Sequence, residues 1–434
     1  MSKAHLLSQA QIDMRCVMNR SHVKAEAERI VFVAMDLRTT GGQGSRANSQ
    51  RQPLNIGLAI DCSGSMQAEN KLEYAQQAAI SLVKSLRPND TVSIVSFETK
   101  ARVEVPSVFA TETYGLEKTI AGIPLGKETD LFEGLRLAWQ QVASSSGRPG
   151  VVSRIILLTD GEPTRGKTKE KDFISLARQI MDSGIPVTTI GVGSDYKEHL
   201  LMSIAQATGS LWYHVSNANY MSDIFAEEVT QMGSTVVRNP TLTITLGEGN
   251  EIVDAYSMRP MVAKLTLPDT APRFEFRLKD IVTGEDQTVF LRIRIPPLSP
   301  GTYRVAHFQL ENLSSDLEII STNDDRLANI ETDPYPRLLW VAGDGLTQVQ
   351  RWIDGETIAR EQVQTRMRAL LADQNLPTIL KANPTLETAV TQLREVHDEA
   401  TRLAPGSMSE DNKKRLRRET TVLRKTKQVE ELKR

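Results

Sequence analysis

Asp61, Ser63 and Ser65 in IDCSGSM, Thr129 in GKETDLFEGL and Asp160 in ILLTDGEPT are five oxygen-bearing side chains. Each stands where a buried strand is expected to run out into a loop. All are hard donors with no His or Cys among them. The set suits Mg²⁺, with Mn²⁺ or Ca²⁺ as alternatives, and argues against zinc or copper. LNIGLAID, residues 54–61, is almost wholly apolar, as expected of a strand covered on both faces in a parallel sheet. The carboxyl end of such a strand is where open α/β sheets bind ligands. In the loop that leaves it, Asp61, Ser63 and Ser65 are spaced two apart and can turn towards one point, with Gly64 freeing the turn. Only two carboxylates serve the cation, which is left short of negative charge. A Mg²⁺ held mainly by hydroxyls and water favours an external carboxylate or phosphate.

In order and spacing, DCSGSM, then G-x-x-T-x-L around Thr129, then TDGEPT resemble the metal-ion-dependent adhesion site of von Willebrand factor A domains. The resemblance extends over roughly residues 52–233 and includes all five positions. It implies that Ser63 and Ser65 contact the metal directly and that Asp61 does so through water. Thr129 and Asp160 would exchange direct and water-mediated contact between affinity states. The partner would supply a Glu or Asp that completes an octahedral shell.

The intervening segments read as the elements such a site needs. Residues 71–86 carry Leu72, Ala75, Ala79, Leu82, Val83 and Leu86 at helical spacing and stop at Pro88. TVSIVSF at 91–97 alternates like a strand, and ARVEV at 101–105 is its expected antiparallel edge neighbour. Strands at 154–159, 186–193 and 211–215 alternate with helices at 131–143, 173–182, 198–207 and 219–232. This alternation predicts an α/β fold with a doubly wound parallel sheet.

A chain of 434 residues exceeds one such domain. Residues 1–48 and 234–330 carry short alternating runs between Gly, Pro and Asn or Asp turns, which predicts a β-sandwich interrupted by the α/β domain at 52–233. Inserted A domains of integrin β subunits look similar. Residues 333–404 show apolar positions at three- and four-residue intervals, predicting a small helical unit. From 405 the chain is a basic, flexible tail by composition. Residues 413–434 hold ten Lys or Arg against three Glu, although the whole chain has a net charge of −2. RRETTVL within it resembles the paired-threonine substrates of bacterial Ser/Thr kinases, whose phosphothreonine is read by forkhead-associated domains. Thr420 and Thr421 are therefore candidate phosphorylation sites.

Several functions lack support. No GxxxxGK followed by Ser or Thr occurs, and IGVGS at 190–194 lacks a third Gly, so neither a P-loop nor a dinucleotide loop is indicated. The six His residues form no ligand-spaced set. No apolar stretch is long enough to span a bilayer, and MSKAHLLSQAQIDMR lacks the apolar core of a signal peptide. Cys16 and Cys62 are far apart, which fits a reduced, cytoplasmic setting. No specific nucleic-acid motif is present. The expectation is a non-enzymatic, metal-dependent scaffold of intracellular signalling. The alternative is a partner subunit of an AAA+ ATPase complex, resembling metal chelatases. Metal-assisted hydrolysis would need Glu128, Asp130 or Glu162 as general base.

Overall fold

A computed structural model describes residues 11–40 and 51–403, except positions 112, 149, 194–195, 216, 260–261, 266, 268–271, 354 and 375, and also residues 409, 412–413 and 415–416. Thr420 and Thr421 lie outside the described residues. The described chain forms two units. One comprises residues 51–239 and 279–283, the other residues 11–40, 240–278 and the chain from 284 onward.

The second unit opens the chain with strands β1 (Gln11–Met18), β2 (His22–Lys24) and β3 (Arg29–Thr40). The first unit then alternates strands and helices: β4 (Leu54–Asp61), α1 (Lys71–Ser85), β5 (Thr91–Phe97), β6 (Ala101–Phe109), α2 (Thr113–Ala121), α3 (Leu131–Ser146), β7 (Val152–Thr159), α4 (Glu170–Asp182), β8 (Val187–Val192), α5 (Glu198–Ala207), β9 (Trp212–Val215), α6 (Met221–Gly233) and β10 (Thr235–Val237). Its sheet runs β6-β5-β4-β7-β8-β9. Every pairing is parallel except β5 with β6. The expected edge strand is thus present and antiparallel.

Strands β4, β5, β7 and β8 are buried at every residue because helices cover both faces. Alternation divides them cleanly. Ile56, Leu58, Ile60, Ile156 and Leu158 pack with Ala75, Ala79 and Leu82 of α1 and Phe225 of α6. Ala59, Ile155 and Leu157 pack with Leu135 and Ala138 of α3, Phe173 of α4 and Leu200 of α5 on the other face. Each large aliphatic side chain removed from water in this way contributes roughly 1.5–3 kcal/mol. Gly57 is required by packing: a Cβ there would stand 2.4 Å from Val142 Cγ2, so α3 can lie this close to β4 only over a glycine.

At the amino ends of the strands, polar side chains fix the sheet's entry. Asp90 is fully buried and takes both terminal nitrogens of Arg51, at 2.9 and 2.6 Å, and the Leu54 amide at 2.8 Å. Arg154 of β7 is buried as well. Its guanidinium meets Glu228 of α6 at 2.8 Å and Asp280 at 3.3 Å. Glu228 also accepts from Thr188 and Tyr213, each at 2.8 Å. Burial pushes the Glu228 carboxyl up, but Arg154 outweighs it and holds it below the usual carboxylate range.

Asp280 arrives by an excursion. The chain continues in the second unit with β11 (Thr241–Leu246), β12 (Glu251–Arg259), β13 (Ala263–Lys264) and β14 (Arg273–Arg277), and returns to the first unit for β15 (Ile281–Val282). Strand β15 pairs antiparallel with β10 in a two-stranded ribbon. The sequence patterning reads this whole stretch as one run of sandwich strands; in the structure STVV and 279–283 belong instead with the α/β unit, where Asp280 neutralises Arg154.

The second unit is completed by β16 (Gln287–Ile295), β17 (Gly301–Leu310), β18 (Leu313–Thr322) and helices α7 (Asp325–Asn329), α8 (Tyr335–Ile353), α9 (Thr357–Leu371), α10 (Leu376–Ala382) and α11 (Pro384–Leu403). Its strands form two five-stranded sheets, β1-β3-β16-β12-β13 and β14-β11-β17-β18-β2. Strands from before and after the α/β unit therefore share both sheets. Ala34, Tyr256 and Phe290 of the first of these sheets pack with Leu338, Leu339, Ala342 and Leu346 of α8, so the helices and this sheet share one core.

Candidate metal centre

Strands β4 and β7 are parallel neighbours in register, with Ile60 opposite Leu158. Their carboxyl ends therefore deliver Asp61 and Asp160 side by side. Both side chains are fully buried. Asp61 Oδ1 accepts from the Ser63 amide at 2.8 Å and Oδ2 from Thr159 Oγ at 2.5 Å. Burial pushes the Asp61 carboxyl up to about 6, against the pull of the Thr159 and Ser63 hydrogen bonds.

Beyond Asp61 the chain turns through Gly64–Asn70, a 3₁₀ segment broken by non-helical backbone at Ala68 and Glu69, and then enters α1. Ser63 makes no side-chain cap to it, so its hydroxyl is directed elsewhere: Ser63 Oγ stands 3.1 Å from Ser65 Oγ. Ser65 Oγ in turn donates to Asp160 Oδ1 at 2.6 Å. Ser63, Ser65 and Asp160 thus form one hydrogen-bonded string of oxygens.

Thr129 joins them through a third loop. Gly64 N donates to Lys127 O at 3.2 Å and Gly126 N to Cys62 O at 2.6 Å, stitching this loop to the one after β4. The loop after β7 is tied in by the Thr129 amide, 2.9 Å from Thr164 Oγ, and by the Thr129 carbonyl, which accepts from the amides of Thr164 and Arg165. A Cβ built on Gly161 would lie 3.5 Å from Ser65 Oγ and 3.7 Å from Thr129 Oγ, so both hydroxyls converge beside Gly161. The structure brings all five expected side chains to one place.

Two further residues take part that the sequence does not single out. Thr159 anchors Asp61. Lys71, the first residue of α1, is only 6% exposed and places Nζ 2.8 Å from Asp160 Oδ2. Its only sequence signal is its position at the head of the helix that follows DCSGSM and QAEN, which a helix-face reading passes over as surface charge.

The donor set is two carboxylates and three hydroxyls. Among the described residues, no group of three or more His, Cys, Asp or Glu is arranged to hold a metal, so a cation here must rely on hydroxyl oxygens. Such all-oxygen donors fit a hard divalent cation. The carboxylates considered as general bases have other partners. Glu128 pairs with Arg165 at 2.7 Å, Glu162 with Lys197 at 3.3 Å, and Asp130 caps α3 through the Glu133 amide.

Comparison with known proteins places this unit. The family model "von Willebrand factor type A domain" matches residues 55–227, and the chain contains such a domain. An uncharacterized protein of Synechocystis is 27% identical over 267 residues, 61% of this chain; the match spans 62% of that relative's length, less than two thirds. Among solved structures, a von Willebrand factor type A protein from Catenulispora acidiphila superposes with a TM-score of 0.72 at 17% identity, covering 96% of this chain and 98% of that one. The ArnB paralog VWA2 from Sulfolobus acidocaldarius does so with a TM-score of 0.58 at 18% identity, covering 94% and 97%. At these identities the likeness concerns the fold.

Proposed function

We propose that the protein is a non-enzymatic, metal-dependent interaction scaffold that docks an acidic side chain of a protein partner. The observation that carries this reading is the string Ser63–Ser65–Asp160, with Asp61 and Thr129 beside it. Ser63, Ser65 and Asp160 would hold the cation, with Thr129 and Asp61 completing its surroundings. A Mg²⁺ ion, or Mn²⁺ or Ca²⁺ in its place, supplies a coordination position for a carboxylate. The chain's own residues supply the rest. The loop after β7 carries Lys167 and Lys169 on exposed positions, beside the Arg165–Glu128 pair, and is fastened to Thr129, so an acidic segment meets positive charge next to the site.

We read the two sheets of the second unit as a sandwich into which the A domain is inserted, with α8–α11 as its helical companion. Among the described residues, no helix is long and apolar enough to cross a membrane, and a cytoplasmic setting is part of the proposal. The signalling role rests on the tail sequence around Thr420 and Thr421. Incubation with Ser/Thr kinases followed by phosphosite mapping tests that part; an unmodified Thr420 and Thr421 would remove it.

The scaffold reading is tested by capture from native lysate, comparing wild type with Asp160→Ala in Mg²⁺ and in EDTA. Partners lost under both changes support a metal-bridged dock. Partners retained under both would refute it.

A further inference from the structure

Lys71 sits in an unfavourable place for a cation. It is buried, which costs an ammonium its hydration, and it begins a helix, where the backbone amides present positive charge. Glu73 in the first turn of α1 offsets part of the second penalty, and the first is met from outside the helix. The compensation comes from 89 residues away, where Asp160 Oδ2 accepts from Nζ at 2.8 Å. Room for the ammonium is made by Gly193 at the end of β8. A Cβ on Gly193 would stand 3.1 Å from Nζ, and the residue's φ of +71° already favours glycine. The surroundings of the Lys71 ammonium are therefore supplied by the chain just past β7 and β8, at the sheet edge that carries the metal donors.

We infer that Lys71 is a built-in counter-cation of the metal centre, setting both how tightly the metal binds and how strongly the loaded site attracts an external carboxylate. The inference rests on the metal-centre reading above. Lys71 occupies Oδ2 of Asp160 and leaves Oδ1, the oxygen on Ser65, for the cation. Two carboxylates and one ammonium leave the site with a single negative charge. A divalent ion turns this into a single positive charge, which one carboxylate from a partner neutralises. With Lys71 removed, the loaded site would be neutral. Metal would bind more tightly and the demand for an external acid would fall. Lys71 thus trades metal affinity for acid capture.

The test is Mg²⁺ titration by calorimetry on the full chain, with Lys71→Met and Lys71→Gln against wild type and the charge-retaining Lys71→Arg. A like charge removed from within a few ångströms of the ion predicts at least about tenfold tighter Mg²⁺ binding in the Met and Gln variants. Lys71→Arg should stay near wild type. Lys71→Gln retains a hydrogen-bond donor for Asp160 and so separates charge from positioning if Lys71→Met folds poorly. In a second arm, acetate titrated into Mg²⁺-saturated protein and followed by NMR should bind wild type several-fold more tightly than Lys71→Gln. Equal or weaker Mg²⁺ binding in the Gln variant, or equal acetate binding, would show Lys71 to be a structural prop and overturn the inference. Absence of Mg²⁺ binding by wild type would overturn it differently, by removing the metal centre itself.

Discussion

Ser65 Oγ donates to Asp160 Oδ1 at 2.6 Å across 95 residues of chain, joining the loop after β4 to the loop after β7. This single contact is made by two groups that a cation would need on the same side. It is short because β4 and β7 are hydrogen-bonded neighbours whose ends are level. The sheet therefore preorganises the donors, and the loops have little ordering left to undergo when the ion arrives.

Metal that binds the folded chain and not the unfolded one should stabilise the fold. Mg²⁺ at a hundredfold excess over its Kd is expected to add about 2.7 kcal/mol to the unfolding free energy. Ser65→Ala should lose most of that increment while remaining folded; Asp160→Asn should lose it as well, from a lower baseline because Lys71 is left buried without its carboxylate. Thermal denaturation with Mg²⁺ and with EDTA reads it directly. An undiminished Mg²⁺ response in both variants would place the ion elsewhere.

The buried Arg154 is the counterpart at the opposite strand ends. Arg154→Met would leave Glu228 and Asp280 buried without their cation. Losing one partner of such a pair costs about 3–5 kcal/mol, and adding Glu228→Gln should restore part of it. Urea denaturation of the single and double variants measures both steps. A loss below about 1 kcal/mol for Arg154→Met would contradict the account.

Asp36 gives the second unit a pH-dependent component. Burial raises its carboxyl above the ordinary value, against hydrogen bonds from Thr288 at 2.8 Å and Tyr335 at 2.9 Å. The folded state therefore holds the proton more tightly than the unfolded chain, and this group's contribution declines as pH rises from the ordinary carboxylate range through the raised value. Asp36→Asn keeps an oxygen acceptor for Thr288 and Tyr335 and should flatten that decline. Stability measured by urea at several pH values would show it, and an unchanged slope in the variant would assign the effect to another group.

Much of the first unit is legible in the sequence because its strands are continuous apolar runs and its helices have one apolar face. Asp61, Ser63, Ser65, Thr129 and Asp160 are legible for a different reason: each follows a strand or loop signal that fixes its place at the sheet's carboxyl edge. Lys71 is not, since a lysine at the start of an amphipathic helix reads as surface charge, and its partner lies 89 residues away. Arg154 is hidden in the same way inside RIILLT, where only the tertiary arrival of Asp280 and Glu228 makes burial tolerable. The excursion of residues 279–283 is invisible to periodicity because two-residue pairings such as β10 with β15 carry too few positions to form a pattern.

The most direct measurement is anomalous diffraction from a crystal soaked in Mn²⁺. The account predicts a single strong peak bounded by Ser63 Oγ, Ser65 Oγ and Asp160 Oδ1, with water or an external carboxylate opposite and Lys71 still on Asp160 Oδ2. A Mn²⁺-soaked crystal with no peak there, and with the Ser65–Asp160 hydrogen bond intact, would contradict it.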